Sequence, residues 1–193
     1  MKLIFASRNK NKFLEIKKLI PKNIKLRKLD DLNFFKEIPE NEDTIEANAT
    51  FKAEFIYNKF DVNVFADDTG LEVESLNGKP GVHSARFAGR KCDSNQNINK
   101  LLDLLKHKKN RKARFKTIIV LILNKKKYQF EGIIQGEILH SKQGDNGFGY
   151  DPIFKPKNFT KSFGELSIEI KNKISHRGIA IRKLINFLNE IKN

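Results

Sequence analysis

The sequence predicts a mixed α/β fold, in which helices pack on a β-sheet and a cleft separates two lobes. Three observations lead there. Strand and helix patterns alternate in the early part of the chain, two long β-like runs flank a short polar turn in the later part, and no Ser/Gly/Pro-rich linker or repeat interrupts the sequence. The 193 residues therefore read as one compact domain, 1–193. With 39% hydrophobic residues and 16 Phe, the chain holds too much apolar material for a disordered basic tail.

Each element has a local justification. Residues 2–6 (KLIFA) form a short apolar run that breaks at Ser7-Arg8-Asn9. A helical pattern with Phe13, Ile16, Leu19 and Ile20 follows, with Asn9 as N-cap and Pro21 as stop. Residues 24–29 alternate as a strand should. Five of the ten residues 37–46 are acidic, and Asp43 with Glu46 stands at capping-box spacing. The helix they open carries an apolar stripe of Ile45, Ala49, Ala53, Ile56 and Phe60, while Asn48 and Lys52 lie four apart on a neighbouring face.

Residues 62–66 read as a buried strand, Asp67-Asp68-Thr69-Gly70 as a turn, and 71–76 as a resumed strand. The segment 78–89 (GKPGVHSARFAG) is a glycine-bounded loop without periodicity. A Leu-rich helix is expected over about 93–109. Runs 114–123 and 127–139 flank NKKK as a hairpin, and 144–152 (GDNGFGYDP) has too many glycines for regular structure. A closing helix begins near Ser175, with Ile181, Ile185, Leu188 and Ile191 facing inward.

Composition limits the functional classes. The 38 Lys and Arg against 23 Asp and Glu give a net charge of +15, which suggests nucleic-acid binding but is better read as compositional drift toward Lys, Asn, Ile and Phe. The single Cys, Cys92, excludes a disulfide framework and a cysteine-built metal site, and suits a reducing compartment. No apolar run approaches the roughly 20 residues of a membrane span. The apolar run at Leu3 to Ala6 is too short for a secretory signal. A cytoplasmic protein without membrane attachment is expected.

Four segments carry chemistry. Ser7, Arg8, Asn9, Lys10, Asn11 and Lys12 lie between a strand and a helix, where unpaired N–H groups and the positive dipole end suit a phosphate. Asp67 and Asp68 follow a buried strand. Adjacent carboxylates there repel unless a basic partner or a hard cation neutralises them, and Mg²⁺ takes one or two carboxylates with phosphate oxygens and water. Glu40 could add a metal oxygen, as could Glu37 or Glu42. Gly147-Phe148-Gly149-Tyr150-Asp151 sets an aromatic ring and a carboxylate among glycines, a combination that suits a nucleobase. His176 and Arg177 fall in the first turn of the last helix, against its macrodipole, and a ligand that uses them would offset the cost. Together the segments suggest a nucleotide site.

These segments resemble the inosine triphosphate pyrophosphatase-like family. The matching runs are S-x-N-x-x-K at 7–12, N-A-x-x-K at 48–52, A-D-D-T-G-L at 66–71, G-x-P-G-x-x-S-A-R-F-A-G at 78–89, G-F-G-Y-D-P-I-F at 147–154 and S-H-R-G at 175–178, in family order across nearly the whole chain. The resemblance implies an elongated mixed sheet, a nucleotide-binding cleft between two lobes and a homodimer. It also implies Mg²⁺-dependent hydrolysis of ITP, dITP, XTP or dXTP to the monophosphate and pyrophosphate. It makes Ser7 to Lys12, Lys52 and Lys171 triphosphate binders, and Glu40 and Asp68 metal carboxylates, with Asp67 a further candidate. The resemblance also makes Asp68 the proton acceptor. Thr69 stands where the family usually has Ser. Phe148, Gly149, Tyr150 and Asp151 with His176 and Arg177 form the base pocket. The family's T-G-x-T-F after the metal Glu is replaced here by Asn41-Glu42-Asp43-Thr44-Ile45.

Two alternatives remain at this level. A Maf-like nucleotide pyrophosphatase would usually open with S-x-S-P-R-R, whereas SRNKNK lacks the proline and paired arginines. A nucleic-acid-binding module would use residues 106–116, where seven of eleven are Lys or Arg.

Overall fold

A computed structural model describes residues 1–191. The strands are β1 (Lys2–Phe5), β2 (Lys25–Arg27), β3 (Val64–Val73), β4 (Pro80–Gly81), β5 (Lys112–Leu123), β6 (Lys126–Ile138) and β7 (Phe154–Pro156). The α-helices are α1 (Lys10–Leu19), α2 (Ile45–Phe60), α3 (Ser94–Leu104), α4 (Ile168–Ile174) and α5 (His176–Glu190). The sheet runs β2-β1-β3-β5-β6-β7, with β4 paired to β3. It is mixed: β1 is parallel to β2 and β3 (Lys2 opposite Lys25, Ile4 opposite Val64), and β6 is antiparallel to β7 (Ile138 opposite Phe154). No helix among the described residues is long and apolar enough to cross a membrane.

The chain divides into two compact units. The first holds Met1–Asp68, Thr117–Gly132 and the chain from Arg177 onward, and the second holds Thr69–Lys116 and Ile133–His176. The first unit's core joins Leu3 and Phe5 of β1, Ile16 of α1, Phe65 of β3, Ile119 and Leu121 of β5, and Ile181, Leu184 and Leu188 of α5. Phe5 and Phe65 stack at 5.0 Å. The second unit's core joins Leu71, Val73, Ile98, Leu101, Phe115, Phe154 and Phe163, with Phe115 4.6 Å from Phe154.

Caps set the helix starts. Asn9 Oδ1 accepts from Lys12 N–H at 3.0 Å, as expected. For α2 the cap is Thr44, one residue beyond the expected Asp43, because its Oγ1 accepts from Ala47 N–H at 3.0 Å. Asn124 and Lys125, both at positive φ (48° and 67°), turn the β5–β6 hairpin in the manner that matches strand twist.

The largest departure lies at residues 67–70. The expected turn does not form; β3 continues through Asp67, Asp68, Thr69 and Gly70, and both aspartates are buried. Asp and Gly are common turn residues, but a carboxylate stays in a buried strand when cations meet it, as they do here. Three smaller differences follow the same pattern of local signal against packing. β2 covers only 25–27, α3 ends at Leu104, and Ile191 is exposed rather than inward-facing. The short elements β4, β7 and α4 have too few residues to show a period.

Arg111 lies within the basic run yet is buried. Its guanidinium donates to the carbonyls of Ile138 (2.6 Å), Leu105 (2.9 Å) and Leu139 (2.8 Å), tying the residue after α3 to the end of β6. Arg111→Ala leaves these acceptors short of a donor and is expected to destabilise the protein by about 3 kcal/mol. Lys109→Ala, on the exposed part of the same run, should change stability by no more than about 0.5 kcal/mol. Urea unfolding of both variants checks the contrast.

Candidate active site

The first unit brings together much of what the sequence marked for phosphate and metal. β3 carries Asp67 and Asp68 into the interior, α1 supplies Lys12 and Glu15, α2 supplies Lys52, the segment before α2 supplies Glu40, and α5 supplies Arg177. Lys52 Nζ donates to Asp68 Oδ1 at 2.9 Å and to Glu40 Oε1 at 2.5 Å. Asp67 Oδ1 accepts from Lys12 Nζ at 3.1 Å and its Oδ2 from Arg177 Nε at 3.1 Å. Arg177 Nη1 also meets Glu15 Oε2 at 2.5 Å.

Burial and charge oppose one another at each group. Burial raises the Asp67 pKa, but Lys12 and Arg177, helped by Lys52, outweigh it and hold the carboxyl well below its ordinary range. Burial pulls Lys52 down, yet Asp68, Glu40 and Asp67 more than restore it, so the ammonium stays charged. Arg177 is likewise desolvated and held charged by Glu15 and Asp67. For Asp68 burial wins: its pKa is raised although Lys52 and Lys12 pull it down and Glu40 adds to the rise. Asp67 is therefore a fixed anion, and Asp68 is the more basic of the two carboxylates.

The adjacent carboxylates also differ in what they can do. Asp67 is fully buried with both oxygens bonded to cations, so it orders the site. Asp68 and Glu40 share a single ammonium. Lys12, Lys52 and Arg177 meet Asp67, Asp68, Glu40 and Glu15, with Glu40 and Asp68 both on Lys52. That donor set fits Mg²⁺, which accepts one or two carboxylates and completes its shell with water and substrate phosphate oxygens. Among the described residues no three His, Cys, Asp or Glu side chains converge as a metal-ligating group. The structure also separates Glu40 from Glu37 and Glu42: Glu40 reaches Lys52 and is half-buried, whereas the other two are exposed.

The remaining phosphate-loop residues are less committed. Ser7 Oγ accepts from Asn9 N–H at 3.3 Å, and Asn9, Lys10 and Asn11 are exposed at the start of α1. Arg8 turns the other way, donating from Nη1 to Asp30 Oδ1 (2.9 Å) and the Phe34 carbonyl (3.1 Å).

The second unit holds a separate group. Asp151 Oδ2 accepts from Phe148 N–H at 2.7 Å and from Lys171 Nζ at 2.5 Å. Lys171 Nζ lies 4.8 Å from the centre of the half-buried Phe148 ring. The structure thus groups Lys171 with Phe148 and Asp151. Gly147 is glycine for a local reason: its φ is +79°, and a Cβ there would collide with the Asp151 carboxylate. Gly149, at φ +63°, has open space around its Cα. Tyr150 is buried and donates its hydroxyl to the Ser84 carbonyl at 2.9 Å, while Ser84 Oγ accepts from Leu71 N–H at 2.8 Å. Tyr150 therefore anchors the 78–89 loop to β3. Its hydroxyl is pushed up by burial. His176 is buried and stacks on Phe115 at 4.5 Å, and Thr69 is half-buried on β3.

Arg177 Nε and Nη1 bond to Asp67 and Glu15, whose buried carboxylates demand a cation. Glu15 escaped the sequence reading. Its signal was present, since it lies three residues after Lys12 and beside the inward Ile16, where an unpaired carboxylate would be costly.

A sequence profile of the Ham1 family matches residues 3–187. The chain belongs to that family. It is 55% identical over 192 residues to a dITP/XTP pyrophosphatase of Flavobacterium johnsoniae, covering 100% of both chains. It is 53% identical to one of Christiangramia forsetii, covering 98% of this chain and 100% of that one. Among solved structures, the Staphylococcus aureus Ham1 protein superposes with a TM-score of 0.89 at 38% identity, covering 98% of this chain and 99% of that one. A HAM1 protein from Coxiella burnetii superposes at 0.91 with 34% identity and the same coverage. The mixed sheet flanked by helices is thus the Ham1 fold.

The Asp67 network of this Ham1-family chain has a measurable pH signature. Because its folded pKa is depressed, Asp67 contributes stability that is present above its unfolded pKa of about 4 and lost as pH falls toward the folded value. Asp67→Asn should cost about 3–5 kcal/mol at pH 7, since Arg177 and Lys12 lose their buried counter-charge. The variant should also show a shallower loss of stability between about pH 5 and pH 2 than the parent. Denaturant unfolding across that range checks both.

Proposed function

We propose that this chain hydrolyses non-standard purine nucleoside triphosphates, dITP, ITP, XTP and dXTP, to the monophosphate and pyrophosphate, clearing them before they enter DNA or RNA. The observation that carries the reading is the Lys52 ammonium shared by Glu40 and Asp68 beside the fixed Asp67 anion. The names of the relatives above support the choice of substrate. Residues 1–193 would work as one catalytic domain. A homodimer and a cytoplasmic location follow from the family resemblance and complete the proposal.

In this reading Ser7, Asn9, Lys10, Asn11 and Lys12 receive the phosphates at the α1 N-terminus, with Lys52 as a further cation. Arg8, bound to Asp30 and Phe34, keeps that loop in place. Glu40 and Asp68 would hold Mg²⁺, which neutralises phosphate charge and polarises the reacting phosphoryl group. Asp68 Oδ1 accepts from Lys52, and its carboxylate would orient or deprotonate the attacking water. Burial favours this, because a raised pKa makes the carboxylate a better base. Water oxygen bonds to the α-phosphorus, and the bond to the bridging oxygen breaks with pyrophosphate leaving.

Base selection falls to the second group. Phe148 offers a ring face, and Lys171 and His176 offer donors to a 6-oxo group. Thr69, Gly149, Tyr150 and Asp151 shape the surroundings, Tyr150 and Asp151 through the bonds described above. Adenine presents a 6-amino donor and would leave the protein donors unpaired, a mismatch that discriminates on the order of 10⁴-fold. Guanine shares the 6-oxo group, so its rejection comes from contacts near the 2-position.

Incubation with dITP, XTP, dATP, dGTP, dTTP and UTP, with and without Mg²⁺, tests the proposal. Pyrophosphate and monophosphate should appear from dITP and XTP only with the metal. Orthophosphate, equal use of dATP, or the pyrimidine preference a Maf-like enzyme could show would overturn it. Asp68→Asn should lower kcat by about 10²–10⁴-fold without loss of folded structure, measured by steady-state kinetics and circular dichroism. Phe148→Ala should raise KM for dITP by roughly 5- to 100-fold through lost stacking, with a much smaller change in kcat.

A further inference from the structure

Glu40 belongs to a stretch, residues 33–44, that has neither helix nor strand. A carboxylate on such backbone has no sheet ladder or helical turn to fix it, yet the site needs it within hydrogen-bond reach of Lys52. Upstream, Phe34 is buried and packs edge-on against Phe55 and Phe60 of α2, at 5.9 and 6.1 Å. Downstream, the fixing group is Asn48.

Asn48 lies in the first turns of α2 with 1% of its surface exposed. Its Oδ1 accepts from Glu42 N–H at 3.2 Å, and its Nδ2 donates to the Glu42 carbonyl at 3.3 Å. One side-chain amide thus satisfies both backbone groups of a single residue, as a neighbouring strand would. The clamped residue stands where the resembling family usually has glycine, and two positions after Glu40. The Glu42 side chain is exposed, so its backbone is what the protein uses.

We propose that Asn48 is a positioning residue for Glu40: by clamping the Glu42 backbone it holds the Glu40 carboxylate beside Lys52 and Asp68. The inference rests on the reading of Glu40 and Asp68 as carboxylates for a divalent cation. Groups that hold a metal ligand in place typically account for a 10- to 100-fold difference in metal affinity.

Two variants and two readouts test it. Asn48→Ala removes both bonds; Asn48→Asp keeps the size and the acceptor but sets an oxygen against the Glu42 carbonyl. In both, amide exchange at Glu42 should accelerate about tenfold or more while β3 amides keep their protection. Mn²⁺ binding, followed by electron paramagnetic resonance with α,β-methylene-dITP present, should weaken about 10- to 100-fold. In turnover the defect should appear as a higher Mg²⁺ requirement, regained in part at high Mg²⁺. Unchanged exchange at Glu42 overturns the clamp. Freed exchange with parental Mn²⁺ affinity overturns its role in positioning Glu40, as does loss of the fold in both variants. Failure of the unsubstituted protein to bind Mn²⁺ is distinct: it overturns the metal reading first, and this inference with it.

Discussion

Two adjacent carboxylates inside a continuous buried strand are the constraint from which the rest of this molecule follows. Unpaired, Asp67 and Asp68 would not remain ionised in the interior, and β3 would have to turn outward. Lys12, Lys52 and Arg177 remove that necessity, and each arrives on a different helix: α1, α2 and α5. Three helices are thereby registered on one strand by charge, and α1 and α5 also by the apolar cluster that includes Ile16, Phe65 and Ile181. Arg177 in turn requires Glu15, so the network closes on α1.

Adjacent residues on a strand point to opposite faces, which separates the two carboxylates by environment despite their proximity in sequence. Asp67 lies where cations fill both its oxygens, and Asp68 where one oxygen meets Lys52. Order and reactivity are divided between neighbours: a strongly stabilised anion makes a poor base, while a desolvated one with a raised pKa makes a better one. The second unit repeats the device on a smaller scale. Asp151 is spent on Phe148 N–H and on Lys171, so that an aromatic face and an ammonium stay within 4.8 Å of each other.

What the sequence revealed and what it hid have a common physical explanation. Asn9 as a cap, the stop at Pro21, the stripe on α2 and the β5–β6 hairpin are local signals, and each appears in the structure. The Asp67–Gly70 segment was misread because its turn-like composition is overruled by cations that lie far away in sequence, Arg177 being 110 residues distant. The ion pairs of Lys171 and Arg177 were hidden for the same reason: motif order says which residues matter but not which carboxylate each will meet. Arg111 and Asn48 act on backbone carbonyls and amides, which no side-chain pattern announces. The contact of Glu40 with Lys52, which sets it apart from Glu37 and Glu42, is likewise a matter of packing.

The net +15 is carried by side chains such as Lys106, Lys108, Lys109 and Lys126, all exposed, while Glu40 and Asp68 gather on Lys52 in the first unit. Exposed lysines are screened beyond roughly 8 Å at physiological ionic strength, so they attract polyanions weakly and without selection. Inside the cluster the screening is much weaker, and an anion brought there alone would be repelled by Glu40 and Asp68. A triphosphate arriving with its divalent cation would not be, since the cation reverses the local sign. Surface charge can thus raise the rate at which a proposed nucleotide substrate is met, while Glu40 and Asp68 would favour its metal-bound form.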